Sequence, residues 1–220
     1  MSKNKTKLTK FEKWFRTLRR FERFIYRPFF PYTKFGHTEP YDGRAYILVG
    51  NHYSLFDVVF TGTATVKPVH FMAKKDLFKK GLMKKFVLKC QCIPVSRDGT
   101  DAKAIMQAMK YLKNGESIAL YPEGTRNKSD EIFLPFKSGA SALSIKTKTP
   151  IIPVVQIKKI RFLRRSCVIY GEPIEFTEYY DRPLNEESIK ACDEALRNKM
   201  LELYQNLSEI VADKKKRKGK

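Results

Sequence analysis

Residues 45–57 read AYILVGNHYSLFD, and this stretch decides the fold. Its first five residues are apolar without alternation, which predicts a strand that is buried on both faces, as strands of a parallel sheet are. The Gly50-Asn51 pair that follows predicts a turn, and a helical pattern begins a few residues later. This stretch therefore predicts a buried strand, a polar turn and a helix, in that order.

Five further apolar runs are rich in Val and Ile and are bounded by Gly, Pro or polar residues, which predicts strands. They are Val69–Ala73, Cys92–Val95, Ser117–Tyr121, Ile151–Ile157 and Cys167–Tyr170. Helical patterns lie between them over Asp101–Asn114, from near Ser138, and after the N-cap residue Asn185. Strand and helix in alternation predict an α/β fold, with a mixed, largely parallel sheet layered by helices.

The N-terminal 36 residues form a different kind of segment, with eleven basic residues against two acidic ones in a chain of net charge +21. Apolar residues recur there at spacings of three and four, as on one face of a helix. They are Phe11, Trp14, Phe15, Leu18, Phe21, Ile25 and Phe29. A basic helix with an aromatic stripe is typical of an anchor on an anionic membrane surface. The alternative is that the stripe packs on the domain, and both can hold on different faces.

Two other stretches are strongly basic. Lys74–Lys89 alternates lysines with apolar residues, and Gly81 is expected to divide it into two short turns. The last seven residues hold six basic ones and are expected to form a disordered tail. We therefore divide the chain into a basic amphipathic docking segment (1–36), an α/β domain (37–213) and a basic tail (214–220).

The composition excludes several classes of protein. A chain of 220 residues that is 42% hydrophobic is long and apolar enough for one folded domain rather than a disordered polycation. No run approaches the roughly 18 apolar residues of a spanning helix, and the basic N-terminus is not followed by the apolar core of a secretory signal. Because the charge lies mostly at the ends and no nucleic-acid motif is present, we expect no nucleic-acid partner.

The cysteines and histidines predict no metal site. The four cysteines are expected to be reduced thiols, because the one close pair has a C-x-C spacing that is too tight for the usual redox or zinc pair. They are Cys90, Cys92, Cys167 and Cys192. The three histidines add no convincing set of ligands.

The first candidate site is Gly50–Asp57, directly after the predicted strand Ala45–Val49. His52 and Asp57 would lie about 140° apart on a single helix, so they meet only if His52 lies in the turn and Asp57 in the first turn of the next helix. A carboxylate on one imidazole nitrogen makes the other a base that can take a proton from an alcohol. The alternative is structural, since Ser54 and Asp57 also have the spacing of a capping box.

The second candidate site is Tyr121–Arg126, with sequence YPEGTR, after another predicted strand. Gly124 permits a tight turn that presents N–H groups to an anion, and Arg126 offers a planar fork that matches phosphate oxygens. Glu123 would position that fork or accept a hydrogen bond from a substrate hydroxyl. The alternative is a Pro-x-Gly turn with an ordinary Glu/Arg ion pair.

Together these stretches resemble the PlsC-like glycerolipid acyltransferases, specifically the family of 1-acylglycerol-3-phosphate acyltransferases. His52–Asp57 matches the family's H-x-x-x-x-D block, and Tyr121–Arg126 matches its F-P-E-G-T-R block with Tyr for Phe. Ile93–Arg97 resembles the intermediate block that ends in Arg. Ile152–Val154 resembles the fourth, apolar-Pro block. The resemblance spans about residues 45–175.

The resemblance implies roles for individual residues. His52 is similar to the catalytic base, and Asp57 is similar to the residue that orients it. The positions that resemble substrate-binding residues are Arg97, Glu123, Gly124, Thr125, Arg126 and Lys137. One departure is Gln91, where the family usually carries a glycine.

The reaction implied by the resemblance passes an acyl group from a thioester, either acyl-CoA or acyl carrier protein, to the free hydroxyl of lysophosphatidic acid. The product would be phosphatidic acid for phospholipid biosynthesis. No cofactor is expected, because a thioester is already activated, and no G-x-S-x-G nucleophile motif is present. The expected partner is an anionic membrane, with the protein peripheral or monotopic on its cytoplasmic face. The alternatives are an acyltransferase for another lysophospholipid or glycerol-3-phosphate, and a nonenzymatic basic membrane-surface protein.

Overall fold

The computed structural model describes residues 9–36, 44–63, 65, 67–96 and 101–218. Its strands are β1 (Tyr32–Gly36), β2 (Ile47–Gly50), β3 (Val69–Lys74), β4 (Ile93–Val95), β5 (Ser117–Leu120), β6 (Ile151–Gln156) and β7 (Ser166–Tyr170). Its α-helices are α1 (Lys10–Phe21), α2 (Arg27–Phe29), α3 (Asp57–Thr63), α4 (Gly81–Lys89), α5 (Ala102–Lys113), α6 (Gly139–Thr147) and α7 (Glu186–Lys218). A π-helical turn over Glu22–Tyr26 joins α1 to α2, and 3₁₀ turns lie at Lys75–Phe78 and Thr177–Tyr179.

All of these strands form one sheet in the order β1-β7-β6-β2-β5-β3-β4. Neighbouring strands are parallel except for β6 and β7, which are antiparallel. The predicted mixed, largely parallel sheet is therefore confirmed. Because β7 reverses direction, the carboxyl ends of β2, β5 and β6 share one edge of the sheet with the amino ends of β7 and β1. We call this the upper edge, and both candidate sites lie on it.

The sheet is covered on both faces, which explains why β2 is apolar without alternation. Ile47 and Val49 point into a core formed with α5, α6 and α7, where Leu143 and Leu196 are fully buried. Leu48, between them in sequence, points into a second core on the other face. Successive strand residues face opposite sides, so a strand buried on both sides needs an apolar residue at each position.

The apolar stripe of the N-terminal segment packs on the domain over its first half only, although Tyr26 and Tyr32, which lie outside the stripe, are also buried. Thr9 begins α1 with a capping box in which its hydroxyl and Glu12 satisfy each other's backbone N–H groups. Phe11 and Phe15 are buried, and the Phe11 ring stacks on His70 of β3 with centroids 4.6 Å apart. The later members of the stripe, such as Phe29, are about half exposed. The packing alternative therefore describes the start of the stripe, and its end faces outward.

Two parts of the chain differ from the sequence prediction. Residues 32–36, which we grouped with the helical segment, form the edge strand β1 in parallel register with β7. Pro31 cannot continue a helix because it has no N–H donor, and β7 supplies the hydrogen bonds that the next residues need. The tail from Lys214 was expected to be disordered, but α7 continues through Lys218. The helix α7 packs on β6 and β7, and its lysine-rich end contains no Gly or Pro before Gly219 that would end the helix earlier.

The remaining predicted elements are present with small changes at their ends. Asn185 caps α7 through its side-chain oxygen, which accepts the N–H of Ser188 at 2.7 Å. Gly81 divides the second basic stretch, as expected, into a 3₁₀ turn and α4. All four cysteines are free thiols, in agreement with the prediction. In the part of the chain that the structure describes, none of the helices has the length and apolarity needed to cross a bilayer.

Candidate active site

The turn between β2 and α3 places His52 directly beside Asp57. The Nδ1 atom of His52 lies 2.9 Å from Oδ2 of Asp57, and the Asp57 side chain is fully buried. The same carboxylate oxygen accepts the backbone N–H groups of Tyr53 and Ser54, each at 2.6 Å. Because an ionised carboxylate only accepts hydrogen bonds, Nδ1 is the nitrogen that donates to it, and in the neutral imidazole Nε2 is then the nitrogen with the free lone pair. His52 is therefore arranged as a general base.

The two interpretations of Asp57 hold together in the structure. Its bond from the N–H of Ser54 is one half of a capping box at the start of α3, so Asp57 stabilises the helix start. Its bond to Nδ1 fixes the orientation of the imidazole. One carboxylate therefore caps α3 and orients the His52 ring. Through the N–H groups of Tyr53 and Ser54, Asp57 also holds the turn in which His52 lies.

The His52 ring also rests on Tyr121, the residue that follows β5. Their ring centroids are 4.1 Å apart and the planes are inclined by only 14°. Burial raises the pKa of the Tyr121 hydroxyl well above 10, so this group stays neutral. Its oxygen lies 3.5 Å from the hydroxyl of Thr61 in α3. The extra oxygen relative to phenylalanine is thus accommodated, and the ring limits the movement of the imidazole.

Glu123 connects the two turns rather than pairing with Arg126. Its Oε1 accepts the backbone N–H of His52 and its Oε2 accepts that of Leu134, both at 3.0 Å. Glu123 is buried, and this burial raises the pKa of its carboxyl group. Among the described residues no ion pair joins Glu123 to Arg126, so the simple Glu/Arg pair that we considered is not formed. Both carboxylate oxygens instead hold backbone in place.

Gly124 forms the tightest point of the second turn, with φ of +65°. A Cβ atom there would lie 2.8 Å from Cε of Lys137 and 3.2 Å from its Nζ, so the Lys137 side chain lies directly across the glycine. The backbone N–H of Lys137 also donates to the carbonyl of Pro122 at 2.8 Å. Thr125 and Arg126 follow, and both are exposed at the upper edge. The structure thus brings Lys137 to the turn that carries Arg126.

The remaining predicted contact, Arg97, lies outside the described residues and stays a prediction. The turn before its strand is described, and there Gln91 adopts a positive φ of 48°. This is the left-handed region that favours glycine, which gives a physical reason for the glycine that we expected at that position.

Two supports of the site were not predicted from the sequence. The buried Asn51 side chain donates to the carbonyl of Gln156 at 2.9 Å and accepts its N–H at 3.0 Å, which ties the end of β2 to the end of β6. Arg197 of α7 donates to the carbonyls of Phe133 and Leu134 at 3.3 and 3.1 Å. Arg197 therefore holds the loop in which the backbone N–H of Leu134 donates to Glu123. Asn51 directly precedes the His52–Asp57 motif in the sequence. Arg197 lies 74 positions beyond Glu123, and nothing in the sequence indicates that it supports the site.

An exposed aromatic rim borders the His52 turn. Phe56, within that turn, packs against Tyr26 and Phe30 with centroids 5.9 and 5.5 Å away. Phe29 stacks on Phe162 at 6.0 Å, and Phe162 is 58% exposed. The rim comprises the exposed Phe29, Phe56 and Phe162 and the half-buried Phe30, and it rests on the buried Tyr26. It joins the outward end of the N-terminal stripe to the candidate site.

Comparisons with known proteins found one family model and several relatives that match the chain. Residues 33–157 match the family model described as Acyltransferase. The 1-acyl-sn-glycerol-3-phosphate acyltransferase of Bacillus subtilis (strain 168) is 28% identical over 171 residues, which cover 75% of this chain and 84% of that protein. The enzyme of the same name from Streptococcus pneumoniae is 27% identical over 183 residues, covering 80% and 67%.

A solved structure shares the fold. It is the crystal structure of the 1-acyl-sn-glycerophosphate (LPA) acyltransferase PlsC from Thermotoga maritima, with a TM-score of 0.66 and 22% sequence identity. The match covers 91% of this chain and 81% of that chain. At this identity the likeness concerns the fold, and it includes nearly all of the chain.

Proposed function

The chain belongs to the acyltransferase family, and from this premise we propose that it transfers a fatty acyl group from a thioester to the sn-2 hydroxyl of 1-acylglycerol-3-phosphate. The product is phosphatidic acid. The observation that carries the proposal is the His52–Asp57 pair, with Glu123 holding the backbone of His52. The relatives named 1-acyl-sn-glycerol-3-phosphate acyltransferases support the choice of acceptor.

In this proposal His52 removes the proton from the acceptor hydroxyl. The hydroxyl oxygen attacks the thioester carbonyl carbon, and Nε2 of His52 takes the proton as the C–O bond forms. The tetrahedral intermediate then expels the thiolate, which receives that proton and leaves as a free thiol. The Asp57 carboxylate stabilises the imidazolium that exists between the two transfers. A thioester needs no metal or organic cofactor for this step, so the acyl thioester is the only co-substrate.

Direct transfer agrees with the position of Ser141, a serine that follows Gly139-Ala140 without the second glycine of a G-x-S-x-G motif. Ser141 lies in α6 with no exposed surface, inside the core. A nucleophile has to reach the substrate and be activated by a neighbouring base. Ser141 meets neither condition. It cannot reach the substrate because α6 packs against the core that contains Leu143, and the base His52 lies elsewhere, in the turn between β2 and α3.

The acceptor phosphate is proposed to bind at the second turn. Arg126 supplies a planar fork for phosphate oxygens, and Lys137 adds a second positive charge across Gly124. Thr125 offers a hydroxyl in the same turn. Arg97 is the further phosphate contact that the resemblance implies. Glu123 serves this site by fixing the distance between the phosphate-binding turn and His52.

The protein is proposed to take its acceptor from a membrane surface, on the cytoplasmic face. The support is the aromatic rim, which lies beside His52 at the upper edge, together with the positive charge of the N-terminal segment. Interfacial aromatic side chains and basic residues both favour an anionic leaflet. A lysolipid held in such a leaflet presents its phosphate and hydroxyl at the surface, where the two turns lie.

An acceptor panel tests this function. Purified protein is given an acyl-CoA or an acyl carrier protein thioester with lysophosphatidic acid, lysophosphatidylcholine or glycerol-3-phosphate, and thiol release is measured. We expect the highest kcat/KM with lysophosphatidic acid. Faster transfer to either other acceptor would identify a different acyltransferase, and no thiol release with any pair would contradict acyl transfer itself.

A further inference from the structure

A basic pocket of about 590 Å³ lies where the N-terminal segment meets the sheet. Arg23, Arg27 and Lys34 line it from the N-terminal side, and Arg165, just before β7, lines it from the other side. Tyr32 forms part of its wall. We use the name basic pocket for the space bounded by these five residues. It is separate from the two turns that form the candidate active site.

The positive charge in the basic pocket is not matched by acidic residues. Among the described residues, none of its four cations forms an ion pair. The acidic neighbour is Glu22, which is buried and accepts a hydrogen bond from the Tyr32 hydroxyl. Burial is the main cause that lowers the pKa of Lys34 to about 8; Glu22 opposes the shift, and Arg27 and Arg19 add to it. The pocket therefore gathers several cations around one buried carboxylate.

Two of these cations are held in a fixed arrangement. The guanidinium carbon of Arg27 lies 5.1 Å from the centre of the Tyr32 ring, and one of its nitrogens lies 3.5 Å from the Tyr32 carbonyl. The Lys34 ammonium lies 5.5 Å from the same ring. Because the side chains are already positioned, an anion that binds between them requires little further ordering.

The position of the basic pocket relates it to the membrane-facing rim. Arg165 follows the loop in which Phe162 stacks on Phe29, and the N–H of Leu163 donates to the Phe29 carbonyl at 2.7 Å. The pocket therefore lies at the upper edge beside exposed aromatic side chains. Three strand spacings, about 14 Å, separate β5, which carries the Arg126 turn, from β7. A single phosphate is too small to contact both places.

We propose that the basic pocket binds the phosphate of an anionic phospholipid headgroup in the leaflet on which the protein docks, as a second lipid site distinct from the acceptor site. The arginine forks match phosphate oxygens, and the neighbouring rim places the pocket at headgroup depth when its rings enter the leaflet. The inference rests on the proposed docking to a membrane surface. It does not depend on turnover, so binding alone tests it.

The test measures binding of the full chain to vesicles by co-sedimentation. One set contains phosphatidylcholine with phosphatidylglycerol, which is neither substrate nor product of the proposed reaction. The other contains phosphatidylcholine with oleate, adjusted to the same surface potential but without an anionic phosphate ester. The wild type is compared with Arg23→Gln/Arg165→Gln, two exposed positions, and with the charge-matched control Lys110→Gln/Lys113→Gln on α5. Circular dichroism and thermal melting verify that each variant is folded.

We expect the wild type to bind phosphatidylglycerol vesicles several-fold more tightly than oleate vesicles. The Arg23→Gln/Arg165→Gln variant should bind phosphatidylglycerol vesicles roughly thirtyfold more weakly than the wild type does. Its affinities for the two vesicle types should then be similar. The α5 control should keep the preference. Equal binding of the wild type to both vesicle types, or a preference that survives in Arg23→Gln/Arg165→Gln, would overturn the pocket and leave docking intact. Failure of the wild type to bind either vesicle would overturn docking and the pocket together.

Discussion

The two turns at the upper edge and the N-terminal segment use polar and aromatic groups in opposite ways. In the turns, Asp57 accepts three hydrogen bonds through one oxygen and Glu123 uses both of its oxygens on backbone N–H groups. In the second half of the N-terminal segment, Phe24 is 68% exposed and Phe29 faces outward. The two carboxylates of the turns point into the protein, whereas these two rings of the segment point outward.

This difference indicates which region performs chemistry and which one binds a surface. A catalytic base has to be held in one orientation, and hydrogen bonds to buried carboxylates provide that. A membrane surface has no fixed geometry, so exposed rings and cations suffice to bind it. Substitutions in the turns should therefore change turnover and stability. Substitutions in the outward half of the segment should change vesicle binding and leave the chemistry intact on dispersed substrate.

The largest effect is expected for His52→Ala. Loss of a positioned general base should lower kcat by at least about a hundredfold, because the group that takes the hydroxyl proton is removed. The measurement is thiol release with saturating lysophosphatidic acid, and a thermal melt verifies folding. Vesicle binding should be unchanged, which separates this variant from those of the segment. A folded His52→Ala protein with turnover close to that of the wild type would contradict the mechanism.

Arg126→Ala should have the next largest effect. Removing a charge-assisted hydrogen bond costs roughly 1.5–3 kcal/mol, so kcat/KM for lysophosphatidic acid should fall by about ten- to a hundredfold. The loss should shrink with an acceptor that has no phosphate. Arg182→Ala, an exposed arginine in the loop before α7, is the control and should have little effect. An equal loss with both acceptors would show that Arg126 supports the turn rather than the phosphate.

Arg197 tests whether the site depends on a support that lies far away in the sequence. Arg197→Met removes the donors to the Phe133 and Leu134 carbonyls and should lower the free energy of unfolding by about 1–3 kcal/mol. Because the same loop holds Glu123, kcat should fall more than KM rises. Arg197→Lys keeps the charge and should recover part of kcat. A loss of stability with kcat unchanged in the remaining folded enzyme would restrict Arg197 to a structural role.

The outward rings should contribute a smaller, separable effect. Phe24→Ser/Phe29→Ser should weaken binding to anionic vesicles by roughly tenfold, since each ring is only partly free to enter the leaflet. High salt should weaken binding of the wild type without abolishing it, because apolar burial is not screened. The matched control is Leu82→Ser/Phe86→Ser on α4, in the second basic stretch. If the control loses binding and the first variant does not, α4 is the anchor.

How much could be predicted depended on whether a feature is local in the sequence. The strand Ile47–Gly50, the turn with His52 and the helix start at Asp57 are one continuous stretch, so their order placed the pair correctly. The strand β1 escaped prediction because its hydrogen bonds come from β7, more than 130 residues away. The roles of Glu123 and Arg197 escaped for the same reason. A carboxylate beside an arginine suggested an ion pair, whereas its partners are backbone groups of distant turns.

The first half of the N-terminal segment packs on a titratable group, His70, through the ring of Phe11. His70 of β3 is buried between the rings of Phe11 and Tyr111, at 4.6 and 3.8 Å. Its ring nitrogens lie 3.2 Å from the Gln91 carbonyl and 2.9 Å from Glu116. Burial lowers the pKa of His70 below its ordinary value of 6.5, and the two acceptors oppose this only in part. The neutral imidazole therefore predominates in the folded protein at neutral pH.

This pKa gives a pH dependence of stability with a definite sign. The unfolded chain takes up the His70 proton near pH 6.5, and the folded protein takes it up at lower pH. Between these values the unfolded state binds more protons, so the free energy of unfolding falls as the pH falls through about 6.5. Urea unfolding at about pH 7.5 and pH 5.5 measures the fall, which should be the smallest of these effects. His70→Gln lacks the titration and retains His52, and it should lose less stability on acidification than the wild type. An equal loss in both proteins would place the titrating group elsewhere, and α1 would then be held by its aromatic contacts alone.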